Sequence, residues 1–119
     1  MSGQRTVTVH TLDHGPVTLT CPTWCTGEHE QGGYRADIEH IGPARLCTWR
    51  GYDIAIAELA QAPYGTLSHI RASVDIGDMS KALEPDELRQ LGAELIRYAS
   101  ELHALAAQLT DLRTRGGTR

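Results

Sequence analysis

The sequence predicts an α+β fold: a small antiparallel sheet of four or five strands, one long C-terminal helix, and a loop ordered by zinc. Three observations carry this expectation. Alternating β-branched stretches fill much of the first two thirds of the chain, leucines at 3-4 spacing fill the last third, and a Gly- and Pro-containing segment between strands holds Cys and His at metal-ligand spacing. With 119 residues, one domain is expected over residues 1–112, with 113–119 as a flexible tail.

The elements follow in chain order. Thr6 to Leu12 alternates as a strand, Asp13-His14-Gly15-Pro16 is turn chemistry, and Val17 to Cys21 resumes the alternation with Val17, Leu19 and Cys21 on one face. Pro22 to Pro43 contains Gly27, Gly32, Gly33 and Gly42 and keeps no period, so it reads as loop. A loop of that length in a small domain needs something to order it. Arg45 to Trp49 reads as a short strand closed by Arg50-Gly51. Tyr52 to Ala60 suits either helix or strand, and the turn residues Ala62-Pro63-Tyr64-Gly65 decide for strand. In His69 to Ile76, the residues Ile70, Ala72, Val74 and Ile76 fall on one face of a half-buried strand. From Pro85 to Leu112 the period turns helical, with Leu88, Leu91, Leu95, Tyr98, Leu102, Leu105, Leu109 and Leu112 forming the stripe.

Composition excludes several classes. Hydrophobic residues make up 40% and charged residues 22%, which suits a folded chain, and no apolar run reaches the ~18 residues of a membrane span. The net charge of −4 argues against nucleic acid as partner, and no membrane association is expected either. Three cysteines without an apolar leader read as thiols, which points to the cytoplasm.

The loop holds the chemistry. Cys21, Cys25, His29 and His40 give C-x3-C-x3-H-x10-H, the donor set of a structural tetrahedral zinc site. The spacing differs from that of the common nucleic-acid finger. Cys47 is an alternative fourth ligand, although a lone Cys beside Leu46 is more often core. His10 and His14 flank a turn and read as exposed. His29-Glu30-Gln31-Gly32-Gly33 opens like H-E-x-x-H but ends on Gly33, and Trp24 reads as a lid over the metal.

At these residues the chain resembles a family of uncharacterised small proteins of actinomycete type. Those proteins run from a β-hairpin into Cys-Pro-x-Trp-Cys, with one His a few residues on and another later; here these are Cys21, Pro22, Trp24, Cys25, His29 and His40. The resemblance implies the metal site and a C-terminal helix entered through Leu83 to Leu88, and no role. Glu84 stands where that family often carries a Thr cap.

The expected function is a small cytoplasmic, zinc-stabilised binding or adaptor protein. The alternatives are a zinc enzyme with an open coordination position and Glu28 or Glu30 as base, or a thiolate sensor of metal or oxidants. A helix from Pro85 to Leu112 is about 42 Å long, whereas a compact chain of this size is about 35 Å across. The distal end is therefore expected to overhang, and Leu105, Leu109 and Leu112 to join a homodimer.

Overall fold

A computed structural model of the chain describes residues 5–77, 79 and 82–116. The fold is α+β. Strands β1 (Arg5–Thr11) and β2 (Gly15–Cys21) form a two-stranded antiparallel hairpin. Strands β3 (His40–Ile41), β4 (Arg45–Trp49), β5 (Tyr52–Gln61) and β6 (Arg71–Ile76) form a separate four-stranded sheet, and one helix, α1 (Pro85–Gly116), closes the chain. No helix among the described residues is long and apolar enough to cross a membrane.

The long strand β5 organises the sheet. Ala57 pairs with Arg45 on one side and Val74 on the other, and Ala60 pairs with Ile41 and Arg71. Strands β3 and β4 therefore lie end to end along one edge of β5, and β6 lies along the opposite edge. The interruption between β3 and β4 falls at Gly42-Pro43-Ala44, where proline removes a ladder donor. The Gly42 N–H still donates to Leu59 O at 2.9 Å and keeps the path of a strand.

The residues Pro22 to Glu39 gain order by borrowing the outer edge of β1. Gly32 N–H donates to His10 O, Leu12 N–H to Gly33 O, and His10 N–H to the Gln31 side chain. Arg35 N–H then reaches the Asp13 carboxylate at 2.9 Å, which draws that group below the usual carboxylate range. Behind this loop, Val9 and Leu19 bury against Ile38. Val7 packs on this small cluster and on the main core, joining the two.

The main core lies between the sheet and α1. Ala55, Ala57, Leu59 and Cys47 face the helix, which answers with Tyr98 and Leu105. Small alanines let the helix approach closely. Tyr98 keeps its hydroxyl satisfied by donating to Arg45 O at 2.9 Å, as a buried phenol must. Glu84 precedes the helix, and its N–H donates to the Glu87 side-chain carboxylate at 3.0 Å. This is half of a capping box, so the missing Thr side chain leaves the start partly compensated. At the far end, Arg113 Nε donates to Ile70 O at 2.8 Å, and the helix runs four residues past the expected Leu112 to Gly116.

Two expectations change here. The face of β6 expected to be half-buried is covered only near its start: Ile70, just before the strand, is 7% exposed and Ala72 is partly buried, whereas Val74 is 50% and Ile76 72% exposed. The leucine stripe is likewise inverted. Leu105 is 3% exposed, and Leu102, Leu109 and Leu112 pack against the same core, while Leu88 and Leu95 stand open to solvent. The distal leucines expected to overhang thus belong to the chain's own core, and the uncovered stretch is the proximal half of the helix. The physical cause is the helix's diagonal path. It begins beside Arg50 at the end of β4, through the Glu87 and Gln90 contacts, and finishes over Ile70 at the start of β6. The chain is 55 Å long with a radius of gyration of 17.5 Å, well above the roughly 13–14 Å of a compact chain this size.

Leu105→Ala is expected to cost about 2–4 kcal/mol, whereas Leu88→Ala should cost no more than about 0.5 kcal/mol. Urea unfolding of the two variants checks this. Equal losses would place the helix differently on the sheet.

Candidate metal centre

Each donor arrives on an element that the sequence explains. Cys21 is the last residue of β2 and follows Leu19 on its inward face. Pro22 then turns the chain, and its carbonyl accepts Cys25 N–H at 3.1 Å. Gly27, at φ +86°, bends the backbone so that its N–H donates to Cys25 Sγ at 3.3 Å. A side chain at Gly27 would be strained by that φ and would strike the Arg5 guanidinium. His29 follows, with Nε2 3.3 Å from Cys21 Sγ and 3.8 Å from Cys25 Sγ. His40 opens β3 on the edge of the sheet, its ring centroid 5.4 Å from that of His29 at an interplanar angle of 80°. Thr26 N–H donates to Ile41 O at 2.9 Å and clips the cysteine turn to the strand carrying His40.

One ligand atom from each of Cys21, Cys25, His29 and His40 lies within 4.8 Å of all the others. Around a tetrahedral ion with ordinary Zn–S and Zn–N bonds, neighbouring donors sit roughly 3.3–3.8 Å apart. The sulfur–imidazole separations already fall there. Cys21, Cys25 and His40 are buried and His29 is half-buried. Nδ1 of His29 and Nδ1 of His40 are both buried without a hydrogen-bond partner, an expensive arrangement for the bare protein. The four residues can hold one metal ion.

The electrostatics describe a pocket that resists charge. Burial pushes the Cys21 thiol up to about 11, the neighbouring Cys25 adds to the rise, and Arg5 opposes it. Burial likewise pulls His40 down to about 4, with His29 contributing. His40 is therefore neutral at pH 7, the form that binds a metal. The Cys21 thiol needs a nearby cation to become a thiolate, and a bound ion supplies that charge directly.

The surroundings separate the other candidates. Trp24 is buried with its ring edge-on to His40, centroids 6.3 Å apart, as a lid over the cluster. Cys47 is fully buried in the helix–sheet core and is not in the cluster; burial, then the nearby Glu94, raises its thiol. His10 and His14 stay exposed, His14 beside Asp13 at 3.1 Å. Glu28 and Glu30 line an open cleft of about 410 Å³ that His29 borders, together with Asp37, Glu39 and Glu58. Arg5, which no local pattern marks, opens β1, and its guanidinium donates to Cys25 O beside the thiols. The register Arg5↔Cys21 is the signal for it, legible only once the hairpin is aligned.

The family model of a domain of unknown function, DUF6907, matches residues 6–111. The chain belongs to the DUF6907 family. In this DUF6907 chain the matched span takes in all four cluster residues and most of α1. No curated protein and no solved structure matches it.

The two displaced groups of the cluster contribute to the pH behaviour of the metal-free DUF6907 chain, beside the raised Cys47 thiol and the lowered Asp13 carboxyl. His40 titrates near 6.5 when unfolded and about 4 when folded, so the unfolded state binds more protons between those values and stability falls as the pH drops through them. Cys21 moves from 9.0 to about 11, so the folded state holds a proton the unfolded state has released, and stability falls as the pH rises through that window. Melting of chelator-treated, reduced protein should plateau between pH 6.5 and 9 and decline on both sides. A transition unchanged from pH 9 to 11 would contradict the buried thiol.

Proposed function

We propose that this protein is a small cytoplasmic binding or adaptor module whose fold is held by one structural zinc ion on Cys21, Cys25, His29 and His40. The convergence of four donor atoms within 4.8 Å carries the reading. Two sulfurs and two imidazoles suit zinc better than hard cations, which prefer oxygen. Four protein donors close a tetrahedral shell, the usual arrangement of structural rather than catalytic zinc. The ion then joins the hairpin end, the cysteine turn and the sheet edge, segments otherwise tied by few bonds. Its free energy of binding becomes free energy of folding.

One observation favours a second reading, a zinc hydrolase. His29 borders the acidic cleft in which Glu28 and Glu30 stand, so a water reaching the ion from that side would meet a carboxylate. This requires one of the four donors to leave or the coordination to expand.

Cobalt substitution tests both. Closed S2N2 coordination gives an intense tetrahedral visible spectrum indifferent to small anions, whereas an open position gives a spectrum that azide or cyanide changes. The purified protein should carry about one zinc per chain, and Cys25→Ser should lose it and lower the melting temperature by roughly 10 °C or more. Metal-free protein whose melting ignores both added zinc and chelator would refute the proposal.

A further inference from the structure

Strand β6 is an open edge whose backbone and side chains match a second copy of themselves. Gly77 N–H donates inward to Ile54 O at 2.7 Å. Backbone groups alternate along a strand, so Arg71, Ser73 and Asp75 turn theirs toward β5 and Ala72, Val74 and Ile76 turn theirs outward. The start of that edge is closed, because Ile70 O accepts from Arg113. Among the described residues nothing meets the outward groups from Ala72 to Ile76.

The two faces of β6 add to this. On the helix side, Val74 and Ile76 are exposed beside an apolar hollow of about 220 Å³, lined also by Leu95, Ala99 and Leu102. On the other side, Arg71 and Asp75 are exposed and make no ion pair among the described residues. No proline or bulge blunts this edge, and its two exposed charges are of opposite sign, so they complement a second antiparallel copy rather than repel it.

We propose that two copies of the chain join through antiparallel pairing of β6 with β6, about a two-fold axis at Ser73. That register sets outward-facing Ala72 opposite the outward-facing Val74 of the partner, twice, as hydrogen-bonded pairs. Arg71 then faces the partner's Asp75, also twice. Charge complementarity selects this register. A slip of two residues sets Arg71 against Gly77 or Ser73 and loses both ion pairs, and a slip of one residue opposes outward groups to inward ones. The axis stands perpendicular to the sheet, so the exposed Val74 and Ile76 of both copies share one apolar face. Self-association thus moves from the distal leucines, which the core occupies, to the uncovered edge. The proposal does not depend on the identity of the metal.

Analytical ultracentrifugation of the full chain at tens of micromolar tests it. The unsubstituted protein is expected to sediment as a dimer. Arg71→Asp opposes two aspartate pairs and Asp75→Arg opposes two arginine pairs, so each should weaken the dimer about tenfold or more. The double variant Arg71→Asp/Asp75→Arg restores both pairs in reversed sense and should dimerise again. Mixing the two single variants should yield a heterodimer. Circular dichroism verifies that each variant is folded, and either single variant suffices if the other is not. A monomer at every concentration overturns the proposal. So does a dimer insensitive to the single reversals, which would place the contact on the helix, and so does a double variant that stays monomeric, which would reassign the edge to a partner of different sequence.

Discussion

The fold depends on a small volume in which two sulfurs and two imidazoles are gathered away from water. Three of the four residues are buried, and two imidazole nitrogens there have no partner. Burying polar groups without partners costs free energy that apolar packing alone must offset. The elements around them are held in turn by what brings these groups together: the turn at Pro22, the left-handed backbone of Gly27, the Thr26 clip to Ile41, and Trp24 against His40. Gly42 belongs to the same construction, because a Cβ there would crowd Leu59 and Trp24.

The cluster is continuous with the helix–sheet core. Cys21, Trp24 and Cys25 belong to the same buried group as Cys47, Leu59, Tyr98 and Leu105. The distal helix therefore supports the wall of the cluster and the sheet at once, which explains why its leucines are inside. The proximal helix is held mainly by polar ties. Glu87 pairs with Arg50, and Arg97 donates to Leu46 O while pairing with Glu94 and Glu101. Such exposed pairs orient a helix more than they stabilise it. The apolar face left between this half and β6 follows from that difference.

The periodicities were legible because they are local. Alternation marks the hairpin and β6, the turn chemistry at Arg50-Gly51 and Ala62-Pro63-Tyr64-Gly65 bounds β4 and β5, and Pro85 marks the helix start. Strand β3 lies within the segment that reads as loop, because two residues carry no period, and it takes its identity from Gln61 and Ala60 across the sheet. Arg5 carries no local signal, because its importance comes from standing opposite Cys21. The donor residues of the cluster were readable because metal-ligand side chains are few in kind, and their order and number narrow the choice further than apolar residues allow.

The sequence by itself determined the α+β class, the helix from Pro85, and the membership of Cys21, Cys25, His29 and His40 in one set, with Cys47 more at home in the core. Each follows from residue type and spacing, which neighbours in the chain suffice to express. Only the tertiary structure decided which end of the leucine stripe is covered, that Val74 and Ile76 lie open, and that β3 and β4 share one edge of β5. A 3-4 spacing defines a face but not its direction across a sheet. That direction is set by where Arg113 meets Ile70 and Glu87 meets Arg50, contacts between residues 43 and 37 positions apart in the chain.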